Sequence, residues 1–480
     1  MSEDAIELTL LDPDVRRAAA RVDKLRALLA GAGSGAVDRA RSFDPWEGVR
    51  HTATQATYKK LAAMEPPRLS TLDIPLRDGL LRWTHELLQE RIGQELLVAD
   101  AEACRALDER LPAHRVAALK AAEKERLEAG GEADAPRDVD AAAHTYGDAL
   151  TAVVRAPDDV RASAALERAG ELAPGVAAVR KERRERRFEA ARRLGLDHPW
   201  SLVTTSDVRA AARSFLDDTE GLSVELLKIA RKGHEGPWRA SSAIQLAHAR
   251  EANDGWPSHL GPRWLDDAFK PLAPRGVDPG RLPEPLGGAS FVRSVMQWGY
   301  TFKAAGTPRS MPFAIAHSPY GVPAHRFGLA FGWVVTEPLF QRRVLDLPAR
   351  VAAAQSRILR RTAFLHARTI AARALLGAEE NVTASMFEEI GARVFGAPLP
   401  AAMRYAWPDP RLSDPARLVA LLGARAFTRD LVERYDEDWF RNPRAGSHLI
   451  SLACGPAHDD DPITEGAPLA LARVFEQALG

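Results

Sequence analysis

Side chains that could do chemistry are concentrated in two neighbouring stretches of the chain. The first stretch reads Met-Gln-Trp-Gly-Tyr and holds Met296, Gln297 and Tyr300. The second supplies two imidazoles, His317 and His325, which titrate near neutral pH and are suited to acid–base work. No serine nucleophile elbow, phosphate-binding glycine loop or dinucleotide fingerprint accompanies them. The sequence therefore identifies groups that could orient a substrate, with His325 as acid or base, but no nucleophile.

In both stretches the apolar residues are spaced as in an α-helix. In the first, apolar residues recur at intervals of four, three and four, as one apolar helix face requires. These residues are Phe291, Val295, Trp298 and Phe302. Because residues four apart share one helix face, Met296 and Tyr300 should project to the same side. The second stretch is predicted to be a helix over Ala324–Thr336.

The composition favours a mainly α protein. The 480 residues are rich in Ala, Arg, Leu and Glu, and few runs are β-branched. The N-terminal part carries no chemistry-bearing motif and is expected to form a helical shell or lid. Two separate helices, Asp158–Leu172 and Val179–Leu194, are predicted where this part ends.

Charge and targeting signals exclude several function classes. The 65 basic residues balance 65 acidic ones, so nucleic acid is not the expected partner. The alternating charges of Arg180–Arg187 predict a solvated helix. We expect a soluble, cytoplasmic protein because no secretory core or apolar run long enough to span a membrane is present. The two cysteines, Cys104 and Cys454, exclude a disulfide framework and make a structural zinc cluster improbable.

Two other histidines attract attention but lack helical partner histidines. His85-Glu86 looks like the start of a zinc motif, yet the fourth residue after His85 is Gln89. The plain interpretation is a His-Glu pair on a helix surface. His366 has apolar or small neighbours in sequence and is expected to be a satisfied core histidine.

The Met296–Tyr300 pentapeptide has the outline of a His-Glu-x-x-His helix with every polar letter replaced. Together with the order of elements from about Leu194 to Ser447, it resembles a helical zinc metallopeptidase of the thimet-oligopeptidase type. In that family the two histidines bind zinc, the glutamate between them is the general base, and a glutamate on the next helix is the third ligand. Residues i and i+4 share one helix face, so both imidazoles can bind the same zinc ion.

The resemblance implies a degenerate site. Met296 falls at the first histidine, Gln297 at the base, Tyr300 at the second histidine and His325 at the third-ligand glutamate. Methionine is a weak ligand, glutamine cannot act as a base, and protonated tyrosine rarely binds zinc. One imidazole does not make a zinc site, since catalytic zinc normally has three protein ligands. We therefore predict no zinc, no other cofactor and no zinc-peptidase activity.

The resemblance also implies an overall shape. We expect a multi-helix, clamshell-like body with a peptidase-like helical core and a central cleft. Residues 1–178 would form the lid or shell, and residues 179–480 the metallopeptidase-like region. The tryptophan-rich segment Trp238–Gly288 would either line the cleft as well or form a compact, tryptophan-anchored connector. Further candidate cleft residues are Trp298, His317, Tyr320, Arg326, Arg441, Arg444 and His448.

Three functions remain open on the sequence. The first is a pseudopeptidase that binds a peptide or a protein partner in its cleft without cleaving it. The second is an enzyme with metal-independent acid–base chemistry around Tyr300 and His325. The third is a purely structural helical scaffold, whose sign would be close packing of the two helices with no cavity between them.

Overall fold

The fold is mainly α, as the composition predicts. It was analysed as a computed structural model. The residues that the structure describes are 3–30, 34–66, 69–71, 73–128, 143–204, 207–232, 236–248, 256–257, 260, 262–272, 277, 288–408, 413–456, 463 and 466–479. Within these ranges there are 21 α-helices and no β-strand. Much of the tryptophan-rich segment lies outside them.

Eight helices form the first part of the chain. They are α1 (Glu3–Ala30), α2 (Ser34–Ser42), α3 (Gln55–Ala63), α4 (Asp73–Ile92), α5 (Gln94–Arg105), α6 (Ala113–Glu128), α7 (Tyr146–Arg155) and α8 (Asp159–Arg193). The N-terminal helices α1 and α4 share a core cluster of apolar side chains that includes Val15, Val22, Leu80 and Leu87. This cluster also contains Ala314, so the first helices pack directly onto a distant part of the chain.

Thirteen helices follow. They are α9 (Val208–Asp218), α10 (Glu220–Lys232), α11 (Ala240–Ala247), α12 (Pro262–Phe269), α13 (Gly288–Gly306), α14 (Phe313–Ala316), α15 (Val322–Val334), α16 (Pro338–Arg343), α17 (Ala349–Ala378), α18 (Ala384–Phe395), α19 (Asp414–Tyr435), α20 (Pro443–Cys454) and α21 (Ala467–Leu479). None of the helices in the described ranges combines the length and the apolar character that crossing a membrane requires.

Polar side chains determine where many of these helices begin. The side chain of the residue before the helix accepts a hydrogen bond from a backbone N–H of the first turn, which otherwise has no partner. Such N-caps precede α3, α7, α8, α9, α18 and α20, and they are Thr54, Thr145, Asp158, Asp207, Thr383 and Asn442.

Helix α8 is a single helix where the sequence predicts two. Pro174 lies inside it, although proline removes a backbone donor and costs about 3 kcal/mol in a helix interior. Apolar side chains on both sides of the proline, Ala169, Ala173 and Val176, are fully buried and hold the two halves in line. The expected domain boundary at residues 178 and 179 falls inside this uninterrupted helix.

Helices α13 and α15 pack at unusually short range. A Cβ atom added to Gly299 would lie 2.8 Å from the Phe327 carbonyl oxygen, and one added to Gly328 would lie 2.9 Å from the Met296 carbonyl oxygen. The Met296 side chain fills the space that Gly332 leaves open on α15. Glycine is therefore required at this interface because the two backbones nearly touch.

The apolar face of α13 is the centre of an aromatic core cluster. Trp298 is 1 % exposed, and its ring centroid lies 4.9 Å from that of Phe269 and 5.0 Å from that of Phe331. Trp256 and Trp264 of the tryptophan-rich segment both contact Phe291 at the start of the same helix. The described tryptophans of this region are thus core side chains.

Hydrogen bonds join helices α1 and α4 to the segment that precedes α15. The Asp12 carboxylate accepts hydrogen bonds from the backbone N–H groups of Phe313 (2.9 Å) and Ala314 (2.8 Å) at the start of α14. The Trp83 indole of α4 donates to the His317 carbonyl oxygen at 2.7 Å. Asp12 therefore does not start a helix, as its place before Pro13 would suggest, but lies inside α1 and caps another one.

Candidate functional site

Tyr300 and His325 come together at one end of the α13–α15 interface. Their ring centroids are 5.2 Å apart in an edge-to-face arrangement. Gly321, which precedes α15 with a left-handed backbone (φ 71°), packs against both rings. A side chain at this position would be strained and would crowd the Tyr300 hydroxyl, since an added Cβ would lie 3.3 Å from it.

The outward face of α13 carries three polar side chains at helical spacing. Arg293, Gln297 and Tyr300 are all exposed, and Tyr300 retains 38 % of its accessible surface. Met296 is half-buried and turns toward Gly332. Because seven residues of helix span about 10 Å, Arg293 and Tyr300 mark the two ends of one exposed strip.

A second tyrosine and histidine pair lies on the other side of Gly321 in sequence. The Tyr320 hydroxyl lies 2.8 Å from His85 Nδ1, and His85 Nε2 lies 3.4 Å from the Gln89 side-chain nitrogen. The prediction that His85 lies on a surface is wrong: the side chain is completely buried because α4 packs against α1, α3, α8 and α14.

Burial keeps His85 neutral. Desolvation and, after it, the nearby Arg187 charge lower the pKa of His85 from 6.5 to about 3. A neutral ring can donate to Tyr320 and accept from Gln89, which satisfies both nitrogens. His85 is therefore a fixed hydrogen-bonding group near neutral pH rather than a proton donor.

This environment makes stability depend on pH. Because the folded-state pKa of His85 lies below its unfolded value, the unfolded chain binds more protons between about pH 6.5 and pH 3. The free energy of unfolding should fall as the pH drops through this window, by at most about 1.4 kcal/mol per pH unit from this group. Urea unfolding of the wild type and a His85→Gln variant, at intervals from about pH 7 to pH 4, measures the difference in slope. Equal slopes would contradict the assignment.

A buried ion network lies beside His85. Glu90, which is 3 % exposed, accepts from Arg187 at 2.7 Å and from Arg183 at 3.2 Å, and Arg26 approaches the same oxygen to 3.3 Å. Glu86 pairs more loosely with Arg187 and Arg26. Burial lowers the pKa of Arg183 to about 10, which still leaves it charged near neutral pH.

The prediction that Arg180–Arg187 is a solvated helix face is therefore wrong. Arg183, Arg184 and Arg187 are all buried. Arg184 donates to the Leu376 and Glu379 carbonyl oxygens at 2.8 and 2.9 Å, and thereby caps the end of α17. The spacing of four residues that Glu86–Glu90 and Arg183–Arg187 share is the sequence signal for these facing ion pairs.

His366 on α17 lies in a different environment from the one expected. Its side chain is exposed to solvent, and it makes no hydrogen bond to any residue in the described ranges. Yet desolvation by surrounding protein lowers the pKa of His366 to about 4. The prediction of a satisfied core histidine is wrong.

Cationic groups surround this ring. The charges of Arg417, His248, Arg373 and Arg293 all lower the pKa of His366, after the larger effect of desolvation. Asp414 at the start of α19 joins two of them, because its carboxylate pairs with Arg373 Nε at 3.2 Å and with Arg417 at 3.4 Å. We call His248, Arg293, His366, Arg373 and Arg417 the cationic cluster.

The residues of the cationic cluster come from four elements. Thr362, one turn before His366 on α17, donates to the Leu246 carbonyl oxygen at 3.4 Å, which brings the end of α11 and His248 alongside. Arg293 belongs to the exposed strip of α13, and its charge also lowers the pKa of His248, after desolvation. The spacing of seven between His366 and Arg373 was the available sequence signal, but nothing in the sequence brings α11, α13 and α19 to them.

The other candidate residues lie elsewhere in the fold. His317 is half-buried, its ring centroid is 5.0 Å from that of Phe313, and desolvation lowers its pKa. Arg326 is directed at Gly423 of α19. Arg441 and Arg444 are exposed near the start of α20, and His448 on that helix approaches Asp430 to 3.5 Å. These last three side chains thus belong to the α19–α20 junction.

Among the residues that the structure describes, no three His, Cys, Asp or Glu side chains are grouped so that they could hold a metal ion. Comparison of the chain with models of known protein families and with curated protein sequences gives no match. What the site can do therefore follows from its own geometry.

Proposed function

We propose that the protein binds a peptide, or a segment of a protein partner, along the exposed strip of α13, in the manner of a helical metallopeptidase that has lost its zinc site. The observation that carries this proposal is the joint exposure of Gln297 and Tyr300, with the His325 ring against Tyr300. A glutamine amide both donates to and accepts from a peptide backbone. An exposed tyrosine supplies a rigid apolar ring with a polar tip, as binding hot spots commonly do.

The same residues favour binding without cleavage. Met296 is turned into the α13–α15 interface against Gly332, so its thioether is used for packing. The Gln297 amide does not take up a proton near neutral pH, so it cannot act as the base that activates water. A bound peptide is therefore expected to leave with its bonds intact.

Two alternatives remain, and each has its own support. The edge-to-face contact between Tyr300 and His325 supports an acid–base enzyme that needs no metal. The close approach of α13 and α15 at Gly299 and Gly328 supports a structural scaffold, because it leaves no cavity along the middle of that interface. The peptide binder, the acid–base enzyme and the scaffold differ in whether peptides bind to the protein and in whether bound peptides are cleaved.

Affinity selection from a pool of defined synthetic peptides, about ten residues long, tests the proposal with the full chain. We expect selected peptides to bind the wild type and to return at their original mass. Replacement of Tyr300 with serine should weaken binding roughly tenfold, because it removes the aromatic anchor. Fluorescence polarisation of labelled peptides measures the dissociation constants.

A Val224→Ser variant is the matched control, because Val224 is exposed (54 %) on α10 and lies outside the strip. Its peptide affinity should equal that of the wild type. Peptides cleaved by metal-free protein would favour the acid–base enzyme. The absence of any peptide whose binding depends on Tyr300 would favour the scaffold. Stoichiometric zinc in the purified protein, with cleavage that a chelator abolishes, would contradict the proposal outright.

A further inference from the structure

A groove lies between helices α2, α4 and α5, in the N-terminal part of the chain. Its volume is about 460 Å³, which is within the range of small-molecule sites. Arg91 at the end of α4 and Gln94 at the start of α5 contribute polar side chains to it. Ala40 of α2, together with Val98 and Ala99 of α5, contributes an apolar wall. The groove therefore combines hydrogen-bonding groups with a surface for hydrocarbon.

Arg91 presents one edge of its guanidinium group to a ligand. Its Nη1 atom donates to the Ala53 carbonyl oxygen at 3.1 Å and to the Arg50 carbonyl oxygen at 3.3 Å, so both hydrogens of Nη1 are used. In the part of the chain that the structure describes, Nε and Nη2 have no acceptor and no carboxylate pairs with this arginine. These two nitrogens form a side-on fork that can donate to both oxygens of one carboxylate. The two backbone contacts hold the half-buried group in place before a ligand arrives.

Gln94 adds a second donor, and its orientation is fixed. The indole N–H of Trp46, which is 3 % exposed, donates to Gln94 Oε1. Because an indole N–H can only donate, the carbonyl end of the amide must face Trp46, and the amino end is left for another acceptor. Among the described residues, no acceptor contacts that amino group. The unused groups of Arg91 and Gln94 are all donors, so the ligand that matches them carries an acceptor.

Two acidic side chains of the groove limit the charge of that ligand. Glu95 pairs with Arg186 at 2.8 Å, and Glu102 pairs with Arg41. Both carboxylates line the same groove as Arg91. Their negative charges repel a ligand that carries two negative charges, such as a phosphoryl dianion, whereas a single carboxylate can be held at Arg91.

We propose that this groove binds a small aliphatic monocarboxylate. The carboxylate lies on the Nε–Nη2 edge of Arg91, with the Gln94 amino group as a further donor. The hydrocarbon part lies on the wall formed by Ala40, Val98 and Ala99. None of the described residues that line the groove belongs to the exposed strip of α13, so this site and the peptide site can exist independently.

Isothermal titration calorimetry of the full chain at constant ionic strength tests the proposal. We expect hexanoate to bind more tightly than butanoate, by up to roughly fourfold for each added CH₂, because the hydrocarbon contacts the apolar wall. Hexanedioate should bind roughly fivefold more weakly than hexanoate, since its second carboxylate comes near Glu95 or Glu102. Equal affinities for hexanoate and hexanedioate, or no binding of hexanoate, would refute a monocarboxylate site.

Norleucine distinguishes two sources of the carboxylate. It has the same carboxylate and hydrocarbon chain as hexanoate, with an ammonium group added beside the carboxylate. Tighter binding of norleucine than of hexanoate identifies an amino acid as the ligand, with Glu95 accepting from the ammonium group. Weaker binding of norleucine identifies a fatty acid.

Matched substitutions at Ala99 establish where hexanoate binds without removing any contact of Arg91. Ala99→Lys and Ala99→Glu add side chains of similar length and opposite charge to the groove wall, and lysine and glutamate are both good helix formers. We expect Ala99→Lys to bind hexanoate roughly tenfold more tightly than Ala99→Glu. Equal affinities of these two variants would place hexanoate outside the groove and refute the proposal.

Replacement of Arg91 with methionine should weaken hexanoate binding roughly tenfold, because it removes the charged fork. Arg429→Met is the control, since Arg429 is an exposed arginine of α19 that pairs with Glu433 on the same helix. The hexanoate affinity of this control should equal that of the wild type. If Arg91→Met also binds hexanoate like the wild type, the assignment of the carboxylate to Arg91 is wrong and the proposal fails.

Discussion

Replacing Glu90 with glutamine should destabilise the protein by about 3–5 kcal/mol, as removal of one partner from a buried ion network generally does. Glu90 is 3 % exposed and is shared by Arg26, Arg183 and Arg187. In the variant Arg26 would keep Asp23 and Glu86 as partners, but Arg183 would lose the carboxylate that accepts from it. Arg183 and Arg187 have almost no access to water. Urea unfolding followed by circular dichroism measures the change in the free energy of unfolding.

The control for this prediction is Glu182→Gln on the outer face of α8. Glu182 also pairs with an arginine one turn away, Arg186, at 2.6 Å, but the two side chains are 50 % and 35 % exposed. Exposed helix pairs contribute about 0.3–0.5 kcal/mol, so this variant should unfold close to the wild type. A double variant, Glu90→Met with Arg183→Met, should recover part of the stability, because it removes a charge of each sign. Equal losses for Glu90→Gln and Glu182→Gln would show that the buried network does not act as described.

A single methyl group at Gly299 should have the second large effect. Gly299→Ala places a Cβ atom 2.8 Å from the Phe327 carbonyl oxygen and 2.9 Å from the Phe331 ring. The nearest atom belongs to the backbone, so the two helices must separate, and we expect a loss of about 2–3 kcal/mol. Thermal and urea unfolding measure it. Separation of the helices would also move Tyr300 away from His325 and weaken the binding of any ligand that contacts both side chains.

The control substitution Gly175→Ala on α8 is expected not to lower the stability of the protein. No atom lies within 4 Å of a Cβ at this position, and the residue is exposed. Alanine is the better helix former by about 0.5–1 kcal/mol, so this variant should be as stable as the wild type or more so. If Gly299→Ala were as harmless as Gly175→Ala, the short-range packing of α13 and α15 would be wrong.

Much of the helical content follows from local sequence. The spacing of Phe291, Val295, Trp298 and Phe302 predicts α13, and the structure buries all four. The break predicted between Leu172 and Val179 was wrong for a physical reason. Proline lowers local helix propensity, but buried contacts from distant parts of the chain outweigh that cost. Propensity describes a segment alone, whereas α8 is held by α4, α5, α7 and α17.

The candidate site, like the fold, could be predicted from the sequence only in part. Helical spacing suffices to put Gln297 and Tyr300 on one face, and the proximity of Tyr300 to His325 follows once α13 and α15 pack antiparallel. The cationic cluster could not be predicted, because His366 and Arg293 are 73 positions apart and only tertiary packing brings their helices within range of each other's charge. For the same reason Arg183 and Arg187 looked solvated: their partners, Glu86 and Glu90, lie about a hundred residues earlier.

The hydrogen bonds from Phe313 and Ala314 to the Asp12 carboxylate join residues about three hundred positions apart. A ribosome adds about 5–20 residues per second, so the interval between synthesis of these two segments is on the order of 15–60 s. Throughout that interval α1 has left the ribosome without the segment it caps. Docking of α14 against α1 and α4 therefore cannot occur in the cell until Ala314 has been synthesised, and the contact that supports the backbone before α15 waits for the same point.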